Sequence, residues 1–325
     1  MNNFLRRTLN SGVMTIAAGT LFFSAAVQAQ YPKKPVKIVV GFSAGGGIDT
    51  AARGFASYIH EAPSMGEMPA VIINLPGGSA TKAAKKVAKG KADGYTLFMT
   101  NAGTTAASDL AGKSKVDSKK DFETLGCVSQ LVTGLLVHTS TPQKSAFDWV
   151  KAMKDSGKTV RWSSPGATTF HALVGRTFFK ENGIKNQIVP FKGGSKARNA
   201  LVAQKVDASF VGVQLTAGFE SDLRALGVPT AKRDPANKTI ATFGEQGLHE
   251  MDTPGPLCLY APKGIPADAA SKLKDAVKHI AGMKGFKKYM KKSKLAAFHL
   301  TAEQGDAALN RLHEELGAVA EKLKK

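Results

Sequence analysis

The sequence predicts an α/β fold in two lobes, and three observations predict it. A strand, a glycine-rich turn and a helix follow one another repeatedly along the chain. A long, nearly polar-free strand region, Leu125 to His138, separates two such runs. The chain then ends in strong helical periodicity.

The first run opens with the β-branched stretch Val36 to Gly41, the turn Ser43 to Gly47, and a helix over Asp49 to His60, where Ala52, Phe55, Ala56 and Ile59 share one face. A strand at Ala70 to Asn74 leads through a glycine turn into a helix at Thr81 to Lys89. Tyr95 to Thr100 is the next strand, and Asn101 to Thr104 the next turn. After the apolar region the pattern restarts with a helix near Ala146 to Lys154. Strand Thr159 to Ser163, turn Ser164 to Thr169 and helix Phe170 to Glu181 follow. Then come strand Gln187 to Phe191, turn Lys192 to Ser195, helix Lys196 to Gln204 and strand Ala208 to Val213. Pro254 to Ala261 gives one more extended segment. Helices at Ala267 to Met283 and Thr301 to Lys324 flank a basic helical connector, Lys284 to Lys294. The expected division is a leader at 1–29, a first lobe at 30–125, a second lobe at 126–254, and a return strand with helices at 255–325 completing the first lobe.

The N-terminus reads as a cleaved secretory signal. Arg6 and Arg7 give a positive start, Val13 to Phe23 an apolar middle too short to span a bilayer, and Val27, Gln28 and Ala29 a small-residue cleavage site. With 43% hydrophobic and 22% charged residues the chain has a globular composition. The formal charge of +20 is unusually basic. Its lysines are dispersed, however, and Lys82, Lys85, Lys86 and Lys89 recur at helical spacing on one solvated face. Zinc-finger spacing and aromatic RNA-binding signatures are absent, so no nucleic-acid partner is expected. Cys127 and Cys258 are the only cysteines. In an oxidising compartment they could form one bridge or remain two buried thiols, and neither has metal-ligand spacing to a His.

Chemistry concentrates in the turns. GFSAGGGID, residues 41–49, sets Ser43, Ala44, Gly45, Gly46 and Gly47 between a strand and a helix, where backbone N–H groups and the helix dipole can hold an anion. It is not a dinucleotide fingerprint, because Ser43 stands where the second glycine belongs. Gly112, Lys113 and Ser114 likewise fail as a phosphate loop, since its first glycine would fall on Ala107. Three more turns follow predicted strands: Asn101, Ala102, Gly103 and Thr104; Ser163 and Ser164 with Gly166, Ala167, Thr168 and Thr169; and Lys192, Gly193 and Gly194. Ligands of open α/β sheets bind beyond the carboxyl ends of the strands, so four turns, two per lobe, can face one cleft. Their hydroxyls suit a carboxylate but can equally cap the next helix, and Lys192 could add a positive charge. His171 begins the helix after the third turn and is either a capping residue or a ligand contact. Asp49 is placed to favour the first turn of its helix through the dipole. No GxSxG, HExxH or paired-carboxylate pattern accompanies these residues, so no catalytic residue, metal or cofactor is expected.

Taken together, the segments resemble the periplasmic receptors of the tripartite tricarboxylate transporter family, the Bug receptors. The carrying segments are YPKKPVKIVVGFSAGGGID at 31–49, INLPGGSA at 73–80, ADGYTLFMTNAGT at 92–104, SSPGATTFH at 163–171, VPFKGGSKARNALVAQKVDASF at 189–210 and GPLCLYAPKGIP at 255–266. The sequence departs from the family pattern at Gly41 to Ser43, where a Pro commonly precedes the turn, and at Gly78 to Ala80, where a longer glycine run is usual. The resemblance implies a two-lobed periplasmic binding protein fold of type II, with the final helices returning to the first lobe. It implies a carboxylate held by backbone and hydroxyl donors at the four turns and His171. It also implies that the two crossings between lobes run side by side, which would bring Cys127 and Cys258 within disulfide range.

The function expected is that of a periplasmic, monomeric, non-enzymatic solute receptor. It would capture a small organic acid and deliver it to the membrane permease of a tripartite transporter. Two other classes compete: a secreted hydrolase or transferase using His171 with Ser163 or Ser164, and a surface protein that binds polyanions through its basic charge.

Overall fold

The computed structural model describes residues 31–112, 115–251 and 255–324. The signal-like segment 1–29, with Lys113, Ser114 and Pro254, lies outside the described residues. The elements in chain order are β1 (Val36–Val40), α1 (Gly47–Tyr58), β2 (Ala70–Asn74), α2 (Thr81–Ala88), β3 (Thr96–Asn101), α3 (Ala102–Leu110), α4 (Ser118–Asp121), β4 (Phe122–Leu131) and β5 (Thr133–His138). There follow α5 (Ala146–Ser156), β6 (Val160–Ser164), α6 (Phe170–Glu181), β7 (Asn186–Pro190), α7 (Gly194–Val202), β8 (Ala208–Gly212) and β9 (Leu223–Gly227). The chain closes with β10 (Gly255–Pro262), α8 (Ala267–Gly282), α9 (Lys284–Lys292), β11 (Ala297–Leu300) and α10 (Ala302–Lys324).

Two sheets result. The first has strand order β11-β4-β10-β3-β1-β2, and the second β7-β6-β8-β5-β9. In the first, β1 runs parallel to β2 and β3, whereas β10 is antiparallel to both β3 and β4. In the second, β6 runs parallel to β7 and β8, and β5 is antiparallel to β8 and β9. The parallel strands β1, β3 and β8 are nearly or wholly buried, which accounts for their near-continuous apolar sequences. Aromatic packing fills the second lobe. Trp162 lies 5.3 Å from Phe179 and 5.6 Å from Phe210, ring centre to ring centre, and a Cβ at Gly175 would sit 2.5 Å from the Trp162 ring. Gly175 is therefore what lets α6 approach its sheet.

The structure departs from the sequence reading at three places. Leu125 to His138 is not one strand: the chain leaves the first sheet after Leu131 and enters the second at Thr133, because each sheet requires its own hydrogen-bonded partner on that segment. The first sheet thus keeps the chain beyond residue 125. Asn101 to Thr104 is not a free turn, because β3 passes directly into α3 with Asn101 as its cap. The connector expected at Lys284 to Lys294 is helical, as α9, held by buried Phe286 and Met290 with its lysines outward. Strands β9 and β11 had no distinct signal.

Cys127 and Cys258 face each other in the β4–β10 register and are joined by a disulfide. A Cβ at Gly305 of α10 would lie 3.1 Å from the Cys127 sulfur, so the closing helix packs directly over the bridge. The bond spans a sequence separation of 131 residues. In the chain-entropy model, closing a loop of that size stabilises by about 5 kcal/mol. We predict that reduction, or the pair Cys127→Ala and Cys258→Ala, lowers stability by a few kcal/mol. Urea unfolding of the oxidised and reduced chains measures this, and superimposable curves would contradict it.

Candidate functional site: a cavity between the lobes

The turns beyond β1, β6, β7 and β8 meet where the two lobes touch. Ser43 donates from both its backbone N–H and its Oγ to the Lys192 carbonyl, at 3.0 and 2.9 Å. Ser195 Oγ donates to the Ala44 carbonyl at 2.8 Å, and the Thr168 N–H donates to Ser79 Oγ at 3.1 Å. Each bond joins a residue of the first lobe to one of the second, so this is the closed arrangement. Gly193 has φ +149°, and a Cβ there would fall 2.8 Å from the Ser43 nitrogen; only glycine permits this approach.

These contacts enclose a void of about 20 Å³, room for about one water. Its wall includes Gly46, Gly47 and Ile48 of the first turn, Thr104, Pro165 and His171, Gly194, and Gly212, Gln214 and Leu215 beyond β8. Phe42 and Leu131 complete it. Among the described residues the wall carries no Lys, Arg, Asp or Glu. Besides Thr104, His171 and Gln214, its polarity comes from helix ends. Helices α3 and α6 are capped from within, by Asn101 accepting from the Thr104 N–H and by Thr169 accepting from the Ala172 N–H. Helices α1 and α7 are preceded by Gly46 and Gly193 and have no side-chain cap. One uncapped helix therefore comes from each lobe, and both begin at the cavity. Orphan N–H groups and the positive end of the dipole suit an anion.

The first turn is braced from behind. Asp49, 1% exposed, accepts from the Gly45 N–H at 2.8 Å, Arg53 Nε at 2.9 Å and Asn74 Nδ2 at 2.8 Å, and Asn74 also donates to the Phe42 carbonyl. Its role thus reaches back into the glycine turn as well as along the helix. The Asp49 carboxylate in turn raises the pKa of the Arg53 guanidinium.

The remaining sequence candidates separate by what their side chains do. Ser163 Oγ donates to the Ala197 carbonyl and to Ser209 Oγ, tying α7 to its sheet. Ser164 Oγ bonds within its own turn, to the Gly166 carbonyl. Asn101 Nδ2 donates to the Gly255 carbonyl. Lys192 is exposed and meets the seam through its carbonyl alone. A Cβ at Gly166 would press 2.6 Å from Ser79 Oγ, and one at Gly103 would lie 3.0 Å from Asn101 Oδ1, so both glycines serve close packing beside the cavity. Ala102 is the first residue of α3, and Ala167 sits in the turn before α6.

His171 lines the void, with Nδ1 2.6 Å from Thr133 Oγ1. Its ring bonds Thr133 rather than Ser163 or Ser164, whose hydroxyls are engaged as described, so the hydrolase pairing is not assembled. Phe42, Ile48, Leu131, Gly212, Gln214 and Leu215 were missed by the sequence reading. Gln214 had a signal: it is the one strongly polar side chain in the run Phe210 to Leu215, beyond a predicted parallel strand.

The fold and cavity define a two-lobed solute-binding protein. Residues 61–323 match the tripartite tricarboxylate transporter family receptor, and the chain belongs to that family. Among curated relatives, a UPF0065 protein from the TAR-I ttuE-ttuC' intergenic region of Agrobacterium vitis is 28% identical over 265 residues, covering 81% of this chain and 76% of the relative. Among solved structures, an R. palustris protein with adipate superposes with TM-score 0.84 at 23% identity, covering 90% of this chain and 98% of that one. MatC from Rhodopseudomonas palustris with bound malate gives 0.77 at 23%, covering 88% and 100%.

Burial lowers the His171 pKa from 6.5 to about 4. The unfolded chain then binds a proton that the folded chain refuses, so unfolding takes up a proton between those values and stability falls as pH drops through that window. The contribution is complete above about pH 6.5 and lost near pH 4, amounting to about 3 kcal/mol. We predict that His171→Gln flattens the fall in melting temperature between pH 7 and pH 4.5. Parallel melting curves for variant and wild type would contradict this.

Proposed function

We propose that this chain is a periplasmic receptor that closes on a small organic carboxylate and presents it to the permease of a tripartite transporter. The observation that carries the reading is the pair of uncapped helix N-termini, one per lobe, at a cavity without charged side chains. An anion there would complete both helix ends at once, so it would be bound more tightly by the closed form than by the open one. That difference is what drives closure. The void has no room for a carboxylic acid of several carbons in this closed arrangement, and the seam of four hydrogen bonds is short enough to part and re-form around one. Membership of the receptor family, and fold neighbours carrying adipate and malate, support a carboxylate over a sugar.

A thermal-shift screen tests the reading, because a ligand bound only by the folded chain raises its melting temperature. Organic acids should raise it and neutral sugars should not; the reverse outcome would refute the carboxylate assignment. Within the site, a Cβ at Gly46 would already lie 3.7 Å from the Gly194 nitrogen, so Gly46→Leu should drive a side chain into the anion turn. Lys86 is exposed on α2. We expect calorimetry to show a loss of about tenfold or more for Gly46→Leu and almost none for Lys86→Ala; equal losses would displace the site.

A further inference from the structure

Gln214 differs from every other polar side chain on the cavity wall. It sits in the single 3-10 turn Val213–Thr216 that follows β8, and all four residues of that turn are buried. Gln214 is 5% exposed, yet its Oε1 is fully buried and accepts no hydrogen bond. Its carboxamide is held between glycines of the two lobes. A Cβ at Gly212 would fall 2.3 Å from Oε1, and one at Gly47, at the start of α1, would fall 2.2 Å from Nε2. The amide therefore crosses the seam between the lobes.

That position makes the unmet acceptor a property of closure. With the lobes apart, water reaches the amide. On closing, the Oε1 acceptor loses water and gains no protein donor, a deficit that weakens the closed form about five- to hundredfold. A ligand removes the deficit only if it brings a donor. Carboxylate oxygens are acceptors only, so an unsubstituted dicarboxylate cannot do so and sets like partial charges together. An ammonium could donate, but among the described residues no Asp or Glu lines the cavity to balance its charge once desolvated. A hydroxyl donates without bringing a charge.

We propose that Gln214 is a specificity-determining residue and that the ligand class is a hydroxylated organic acid, an inference that rests on the carboxylate reading above. Helices α1 and α7 take the carboxylate, and Gln214 Oε1 takes the hydroxyl proton. The lobes then close fully only when both are satisfied.

The test is calorimetry on the chain, freed of co-purified acid, with malate, succinate and aspartate, and with 2-hydroxyadipate and adipate as a longer pair. The hydroxylated member of whichever pair binds should bind about tenfold or more tighter than its unsubstituted counterpart, and malate tighter than aspartate. Gln214→Met keeps the length of the side chain and removes the acceptor. It should bring the hydroxylated-to-unsubstituted ratio to within about twofold by weakening the hydroxylated acid. If that variant does not fold, Gln214→Asn, which withdraws the amide from the seam, should narrow the same ratio. Tightest binding by succinate, adipate or aspartate would overturn the assignment and leave the carboxylate reading standing, as would a preference for malate that survives in Gln214→Met. If no acid of either kind binds while a neutral solute does, the carboxylate reading fails and this inference with it.

Discussion

Both lobes depend on the pairing of β4 with β10. β4 is the strand by which the chain leaves the first sheet, and β10 is the one by which it returns after building the whole second lobe. β10 inserts antiparallel between β3 and β4, so the first sheet is complete only after residues far along the chain have come back. Contacts of such sequence separation are entropically expensive to form. The Cys127–Cys258 bond lies within this pairing and removes part of that entropy from the unfolded chain. Helix α10 covers it through Gly305 and reaches the second lobe at its far end, where Lys180 Nζ donates to the Lys322 carbonyl at 2.6 Å. The crossing is thereby covalently tied, while only a few hydrogen bonds join the opposing turns. Rigidity at the hinge and weakness at the seam are the two conditions for rigid-body closure.

A second constraint acts at the cavity. An anion can be held by a cation or by neutral donors and backbone dipoles, and among the described residues the wall offers only the latter kind. Backbone donors keep their geometry only if the turn bearing them is fixed, and Asp49 does this by accepting from Gly45, Arg53 and Asn74 together. Arg53, half exposed, balances the buried carboxylate from the solvent side and leaves the cavity free of charge. In the proposed receptor, binding strength would be set by alignment of neutral groups.

Much of this was legible in the sequence, for identifiable reasons. Strands β1, β3, β6 and β8 carry short apolar runs followed by small residues, a local pattern that the second and later contacts reinforce. The glycines at 45–47 and 193–194 announced turns through composition alone. The split between β4 and β5 was not legible, because Leu125 to His138 is mostly apolar and buried, and a buried strand gives no periodicity by which to mark a change of sheet. The allocation of hydroxyls was not legible either. Ser163, Ser164 and Thr169 have the same chemistry in sequence whether they face a ligand or a backbone carbonyl, and only the distances to Ala197, Gly166 and Ala172 separate the cases. Gln214 carried a sequence signal as a lone amide beyond a predicted strand, but its place against Gly47 shows only in the folded chain.

The charge of the chain and the chemistry of its cavity follow separate logics. A formal charge of +20 creates a positive field that attracts anions over roughly a Debye length, about 8 to 10 Å at ordinary ionic strength. The lysines of α9 contribute to it from a helix whose apolar side, Phe286 and Met290, is fully buried, so they project into water with no apolar face left to insert elsewhere. Such a field raises the encounter rate for every small anion alike and discriminates among none. In the proposed receptor, discrimination would begin where the field's sources end, at a wall of backbone donors and neutral polar side chains. In the proposed receptor, capture and recognition are therefore separable by salt: ionic strength weakens the approach of the ligand, while the closed complex, shielded from solvent between the lobes, keeps the interactions that select it.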